Sequence, residues 1–347
     1  MAYYTRYEKL QKCHSDGTPY EPAEYKKGEK LGVAEYSSIE ECQGQPGPGP
    51  EPVNYTCCIK WEAYNDLNFS FNNNYITTAE NPWCTQEKVR ELNFHKSQSY
   101  IESLDITVDE TNSIKSMYLA FGEMGYLRSV KLNMPKAASL SDISSMFENS
   151  IDLTSINFIN FDTSHVTTAN YVFSGCHNLR TLDVSNWNTS NLQNVAEMFA
   201  GCNLLTSLDV SNWNISNLKS AWGVFHSCNS LTSLDVSNWD VSNVTDLEYA
   251  FGFCRSLTSL DLSNWNTSNC KNFNFIFCGC ENLETLNLKN FDMSRAISYK
   301  VMFRECNKLK NIICKQAFKD WCITHQDEIE LPTAMREGGT GTWTIVN

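Results

Sequence analysis

Three files of polar side chains recur in this sequence at a fixed interval of 26 residues. Thr181, Ser207, Ser233 and Ser259 form one, Asp183, Asp209, Asp235 and Asp261 a second, and Ser185, Ser211, Ser237 and Ser263 a third. Hydroxyls around a carboxylate accept hydrogen bonds from carbohydrate hydroxyls, and carboxylates in sufficient number hold a hard cation such as calcium. Carboxylates stacked at the ~4.8 Å spacing of neighbouring strands repel, and raise each other's pKa unless a cation, a hydroxyl or an N–H compensates. The plainer alternative is a solvated face on which each Asp satisfies its own backbone and Ser neighbours.

Nothing around these files assembles a catalyst. The six histidines, His14, His95, His165, His177, His226 and His325, are scattered, and no HExxH, GxSxG or Cys–His pair with an orienting third residue occurs. The glycine-rich stretch Glu337–Gly341 runs into TWTIV, a strand pattern, so it presents no helix N-terminus to a phosphate. A glycosidase needs two carboxylates in different environments, about 5 to 9.5 Å apart, whereas the repeated Asp residues are equivalent. The chain is therefore expected to be no enzyme and to carry no cofactor.

Cys176, Cys202, Cys228, Cys254, Cys280 and Cys306 also follow the interval. A file of sulfurs cannot close a zinc tetrahedron, and no CxxC pair exists. Disulfides between successive copies are disfavoured, because parallel Cβ vectors at about 4.8 Å exceed the usual ~3.5 to 4.5 Å. Buried free thiols, acting as small hydrophobes, are the expectation. Cys13, Cys42, Cys57, Cys58 and Cys84 lie outside the file, and pairing among them stays open.

The elements that position these residues are copies of one unit. LRTLDVSNWNTSN, LTSLDVSNWNISN, LTSLDVSNWDVSN and LTSLDLSNWNTSN begin at residues 179, 205, 231 and 257. Phe161, Trp187, Trp213, Trp239, Trp265 and Phe291 form an aromatic file, and the phenylalanines from Phe121 to Phe303 form another. Leu208 and Val210 alternate with Ser207, Asp209 and Ser211, the period of a strand with one buried face. Beyond Trp213, Leu218, Ala221, Val224, Phe225, Cys228 and Leu231 follow the apolar spacing of a helix or 3₁₀-like segment, with Ser216 or Asn217 placed as N-cap. The Asn file, Asn160 through Asn290, reads as turn chemistry that also bridges copies, and the Trp and Phe files read as inward stacks. Six NxS/T triplets, at Asn54, Asn68, Asn188, Asn214, Asn243 and Asn266, are likewise turn and cap residues.

One such unit cannot bury its apolar edges alone, so copies must stack with parallel strands. The fold class expected is an α/β repeat solenoid, right-handed, with a parallel strand ladder and a small N-terminal β module. Proline is absent between Pro135 and Pro332, as a continuing ladder demands. The pattern LxxLDLSNWNTSNxxxxxxMFxGC resembles the BspA-like leucine-rich repeats of bacterial and protist surface proteins and of gut-associated phages, over about residues 101 to 314. That resemblance implies the solenoid and attachment to surfaces. More loosely, the opening residues resemble N-terminal segments of structural proteins from tailed phages of gut Bacteroidales.

Forty Asp and Glu against 27 Lys and Arg leave a formal charge of −13, which repels nucleic acid and anionic membranes. No stretch has the apolar length of a membrane span, and the start lacks the pattern of a signal peptide. Residues 1–42 read as a β attachment module, 43–52 (QGQPGPGPEP) as a linker, 53–100 as an N-terminal cap, 101–313 as the solenoid and 314–347 as a C-terminal cap. Together these point to a virion-associated protein made in a host cytoplasm. Its N-terminal module would meet other virion or surface-assembly proteins, and its solenoid a host glycan or protein. A cell-surface adhesin is the alternative and an intracellular scaffold the third reading.

Overall fold

In a computed structural model the chain is described for residues 54–59, 103–108, 115–134 and 140–346. The expected module at 1–42 and the linker at 43–52 lie outside the described residues. The architecture is a solenoid of parallel strands. β1 (Asn54–Ile59), β2 (Ser103–Val108), β3 (Ser129–Asn133) and β4 (Ser155–Ile159) pair in chain order. β5 (Ser259–Asp261), β6 (Thr285–Asn287), β7 (Asn311–Cys314) and β8 (Thr342–Ile345) do the same. The register steps by the sequence repeat: Val130 lies beside Ile156, and Leu260 beside Leu286 and then Ile312. The stretch expected to cap the first coil opens with a paired strand, since Asn54 lies beside Ser103.

The return half of each coil is not helical. Apolar spacing of three and four fits a helix, but it fits an array of tight turns equally well, and turns are what form. Two residues per coil take positive φ. One file runs Leu119, Ser145, Tyr171, Glu197, Gly223, Tyr249, Phe275 and Val301, and the other runs from Glu123 through Gly175 and Phe253 to Glu305. A positive φ at the third position of a turn turns the peptide plane over. Alternate N–H groups then point along the solenoid axis instead of back into their own turn. Phe121, Phe147, Phe173, Phe199, Phe225, Phe251 and Phe277 donate their backbone N–H to the carbonyls of Met146, Val172, Met198, Val224, Ala250, Ile276 and Met302, at 2.7–3.1 Å. Each accepting carbonyl shares a peptide unit with the next donor, so the bonds form an unbroken column.

The remaining N–H groups close turns within the coil, as Cys176 N–H does on Phe173 O (3.1 Å) and Cys202 N–H on Phe199 O (3.1 Å). Single parallel bridges run through this side from Ser116 to Ser298 without a missing coil. The strand side, expected to be continuous, lapses between Thr181 and Ser259. There the Asp residues and the indoles take the groups a ladder would use. Asp183 accepts Ser185 N–H (3.1 Å), and Trp213 Nε1 donates to Val184 O (3.1 Å). Side chains that bond nearby backbone compete with a ladder, and here they win.

The core is a pair of aromatic stacks. Successive Phe rings of the Phe121–Phe303 file are 5.0–5.9 Å apart between centroids, and successive Trp rings from Trp187 to Trp265 are 6.2–6.3 Å apart and within 5° of parallel. Rings related by one coil and nearly parallel are separated by the local rise between coils. That rise exceeds the ~4.8 Å of a hydrogen-bonded ladder most at the Trp corner. The return ladder is thus the tight side and the Trp corner the wide side, which accounts for the lapse of pairing beside it. Each buried Phe or Trp contributes on the order of 2–3 kcal/mol of apolar transfer.

After β7, α1 (Gln316–Thr324) packs Phe318 against Phe291. The segment that follows accepts the last axial donors, Val301 N–H on Glu328 O (2.8 Å) and Phe303 N–H on Ile329 O (2.9 Å). Gly279 occupies a positive-φ position (74°) where a Cβ would land on the Phe253 ring of the preceding coil. Gly279→Ala is expected to cost about 1–3 kcal/mol in a denaturant melt, combining strain and clash. Gly125→Ala, where a Cβ meets nothing within 4 Å among the described residues, is expected to stay within about 0.5 kcal/mol of the parent.

Candidate binding surfaces

The structure places the three polar files on the strand face and shows what each bonds to. Thr181, Ser207, Ser233 and Ser259 are exposed, as are Asp183, Asp209, Asp235 and Asp261, while Ser185, Ser211, Ser237 and Ser263 are half-buried. Each Asp reaches two residues forward, not across to the next coil. Oδ1 of Asp183, Asp209 and Asp235 accepts the backbone N–H (3.1 Å) and the hydroxyl (2.7 Å) of the Ser two residues on. Asp261 accepts Ser263 N–H at 2.9 Å. At Asp209 the hydroxyl and N–H that would compensate for stacking are both present. The Ser211 hydroxyl, and then its N–H, hold that carboxyl below the usual range, because bonds to the charged form outweigh repulsion across solvent. Among the described residues, no three His, Cys, Asp or Glu side chains group to hold a metal ion.

The Asn residues divide into distinct tasks. Asn188, Asn214 and Asn266 accept the N–H of Ser190, Ser216 and Ser268, closing turns at 3.1–3.2 Å, and Asp240 takes the same place for Ser242. Bridging between coils falls to a neighbouring file: Asn191, Asn217, Asn243 and Asn269 donate to the carbonyls of Ser164, Ser190, Ser216 and Ser242, at 2.7–2.9 Å. In the file expected to bridge, Asn264 donates to Ser237 O (3.0 Å) and Asn160 to Asn133 Oδ1 (3.0 Å). Asn217, read from the sequence as a candidate helix cap, is thus a bridge between turns.

The cysteines of the file are buried and free. Their thiols do more than fill space. Cys176, Cys202, Cys228, Cys254, Cys280 and Cys306 each donate to the carbonyl of a Phe 29 residues earlier, from Phe147 to Phe277, at 3.0–3.3 Å. Ser150 stands in the same place one coil earlier and donates its hydroxyl to Phe121 O (2.5 Å). Burial pushes these thiols far above the ordinary range, and it pushes Cys270 up to about 12 and Cys278 to about 11.

The sequence reading passed over the return face. Positive φ turns the side chains of Tyr171, Glu197, Tyr249 and Phe275 partly outward, and Trp222 and His226 join them. Tyr249 and Phe275 stack at 4.5 Å, and Tyr171 meets Trp222 edge-on at 6.4 Å. A signal was available: this position varies from coil to coil between invariant columns, and three of its eight residues are aromatic.

Fold and surfaces together define a parallel-strand repeat solenoid with two unlike faces, one of repeated hydroxyls and carboxylates and one of rings. Two overlapping segments, residues 114–233 and 202–321, match the family model described as "Mycoplasma protein of unknown function, DUF285". This chain belongs to the DUF285 family. No curated protein matches it. Among solved structures it is similar to a leucine-rich repeat protein from Bacteroides ovatus, at 20% identity and a TM-score of 0.30, over 58% of this chain and 59% of that one. It is also similar to the TLR13–ssRNA13 complex, at 17% identity and a TM-score of 0.25, over 65% and 38%. The chain spans about three fifths of the Bacteroides ovatus protein, and likenesses this distant carry no argument about function.

Two measurements check the side-chain chemistry. In a carboxyl NMR titration Asp209 is expected to have its midpoint below 3.8, the ordinary value. A folded pKa below the unfolded one supplies stability above the unfolded value, lost as pH falls through the folded one; Asp209→Asn should remove that part of the acid dependence. Under native conditions the six thiols of the file should resist DTNB at pH 8 and react at the rate of unfolding, with peptide mass mapping identifying them.

Proposed function

We propose that this chain is a non-enzymatic recognition module whose strand face attaches to a glycan or protein on a host or cell surface. One observation carries the reading. The same Asp–Ser pair, with the same 2.7 Å bond, stands on three successive coils at Asp183, Asp209 and Asp235. A pre-ordered array of this kind suits a repeating ligand, because the side chains lose no freedom on binding. Equivalent carboxylates in equivalent surroundings favour recognition over hydrolysis, which needs an acid and a base of different pKa.

Residues 1–42 are proposed as the attachment piece, with residues 53–100 and 314–347 closing the two ends of the solenoid. The setting we propose is a virion component assembled in a host cytoplasm, supported only by the likeness of the opening residues. Antibody detection of the chain in purified particles is the expected result. Its recovery in a bacterial envelope fraction instead would favour the adhesin.

The strand face itself is tested on a glycan array with the full chain. Replacing Asp183, Asp209 and Asp235 together by Asn is expected to lower the signal at least tenfold. An unchanged signal rejects the strip as the binding surface.

A further inference from the structure

The return face holds a carboxylate that the fold leaves unanswered. Glu197 sits at positive φ in the file between Tyr171 and Gly223. A Cβ at Gly223 would come within 2.8 Å of Glu197 Cγ, so that glycine is what lets the Glu197 side chain lie across the next coil. Tyr171, one coil before Glu197, and Trp222, which precedes Gly223 one coil after, approach ring to ring at 6.4 Å over the coil of Glu197. Burial raises the pKa of Glu197, and the carboxylate of Glu148 raises it further. Burial and the same two carboxylates raise that of Tyr171. Among the described residues no hydrogen bond or ion pair ties the Glu197 carboxylate.

The surrounding polar groups are otherwise engaged. Glu248 accepts a hydrogen bond from Asn272 Nδ2 at 2.9 Å. Arg255 lies 5.7 Å from the centre of the Phe253 ring and pairs with Glu281 at 3.2 Å, so it is committed on the far side of the patch. Toward that side the rings continue through His226, 5.1 Å from Tyr249, which itself stacks on Phe275. A half-buried carboxylate beside a like charge is unfavourable, and ring faces flanking it attract a cation.

We propose that this aromatic and acidic patch is a second binding surface, which docks a basic segment of a partner protein by laying a Lys or Arg side chain over the edge-on pair of Tyr171 and Trp222 onto Glu197. The cation answers both the repulsion between Glu197 and Glu148 and the half-buried rings beside them. A neutral sugar would stack on the rings and leave the two carboxylates as they are. Basic partners also gain from the overall charge of −13, which speeds their approach without selecting this face. The proposal does not rest on the strand-face reading.

The test is fluorescence anisotropy of the full chain with a labelled peptide of alternating Lys and Ser, and with its Glu-for-Lys counterpart. Binding of the first alone is expected. Glu197→Gln, a nearly isosteric surface change, is expected to weaken it at least tenfold, and Trp222→Leu likewise, with circular dichroism melts showing that both variants fold. Asp209→Asn with Asp235→Asn should leave the peptide affinity within twofold. The proposal is overturned if the peptide does not bind, if Glu197→Gln binds as well as the parent, or if the strand-face variant loses as much as the Glu197 variant. The last outcome would mean diffuse charge attraction. Peptide binding that survives loss of the glycan signal would separate this surface from the strand face.

Discussion

The column of peptide groups along the return side is the constraint on which the molecule depends. Each peptide in it accepts from the coil before and donates to the coil after, so every coil must present its donors at the same height and angle as its neighbours. A fixed repeat length follows, since a coil one residue longer would move its donors off the column. Positive φ at Tyr171, Glu197, Tyr249, Phe275 and Val301 follows too. Aromatic and β-branched residues resist that conformation at about 1–3 kcal/mol each. They hold it because the alternative is a buried N–H with no partner, and because the neighbouring coils fix the peptide on both sides. All the peptides in the column point the same way, with N–H toward the C-terminal end. There the carbonyls of Glu328 and Ile329 terminate the pattern.

The two corners of the coil use one device in different chemistry. At the Cys corner a Phe carbonyl accepts the N–H three residues on and the thiol of the next coil: Phe173 O takes Cys176 N–H and Cys202 Sγ. At the Trp corner Val184 O takes Trp187 N–H and Trp213 Nε1. A carbonyl that turns a corner inside the core has left the ladder, and a side-chain donor from the next coil completes it. This explains why the residues are Cys and Trp: each combines apolar bulk with a single donor. The first of the Trp file shows the rule by exception. Trp187 follows a coil with Phe158 at the corner, and its buried Nε1 has no partner among the described residues.

The faces differ because the two halves of the coil satisfy their backbone differently. On the strand side the Asp residues are drawn into local bonds with Ser, so their charge is spread evenly over equivalent sites. On the return side the axial column is backbone to backbone, and the side chains that help it, such as Asp246 accepting Glu248 N–H (3.0 Å) and the file cysteines, are not those of the positive-φ residues. Side chains at the outward positions are therefore free to vary, and from Tyr171 to Phe275 they vary toward rings and carboxylates. Wide spacing at the Trp corner and tight spacing along the return ladder place the rings closest together where the coils are closest, which is what allows Tyr249 and Phe275 to stack at 4.5 Å.

Much of the architecture was legible in the sequence, because a 26-residue repeat can bury its apolar columns only by stacking, and stacking puts like residues in files. Trp187, Trp213 and Trp239 were readable as a row, the file cysteines as buried thiols, and the Asp, Ser and Thr columns as outward-facing. The return segment was not readable, since Leu218, Ala221, Val224, Phe225 and Cys228 have the apolar spacing of a helix and also of successive tight turns. Only the neighbouring coils choose between them: axial hydrogen bonds reward peptides turned over at positive φ, and a single coil has no such partner. For the same reason the sequence alone determined which residues share a file and which columns are buried. Whether Glu197 or Tyr249 faces solvent, and which rings gather around it, was decided only when each coil met the next.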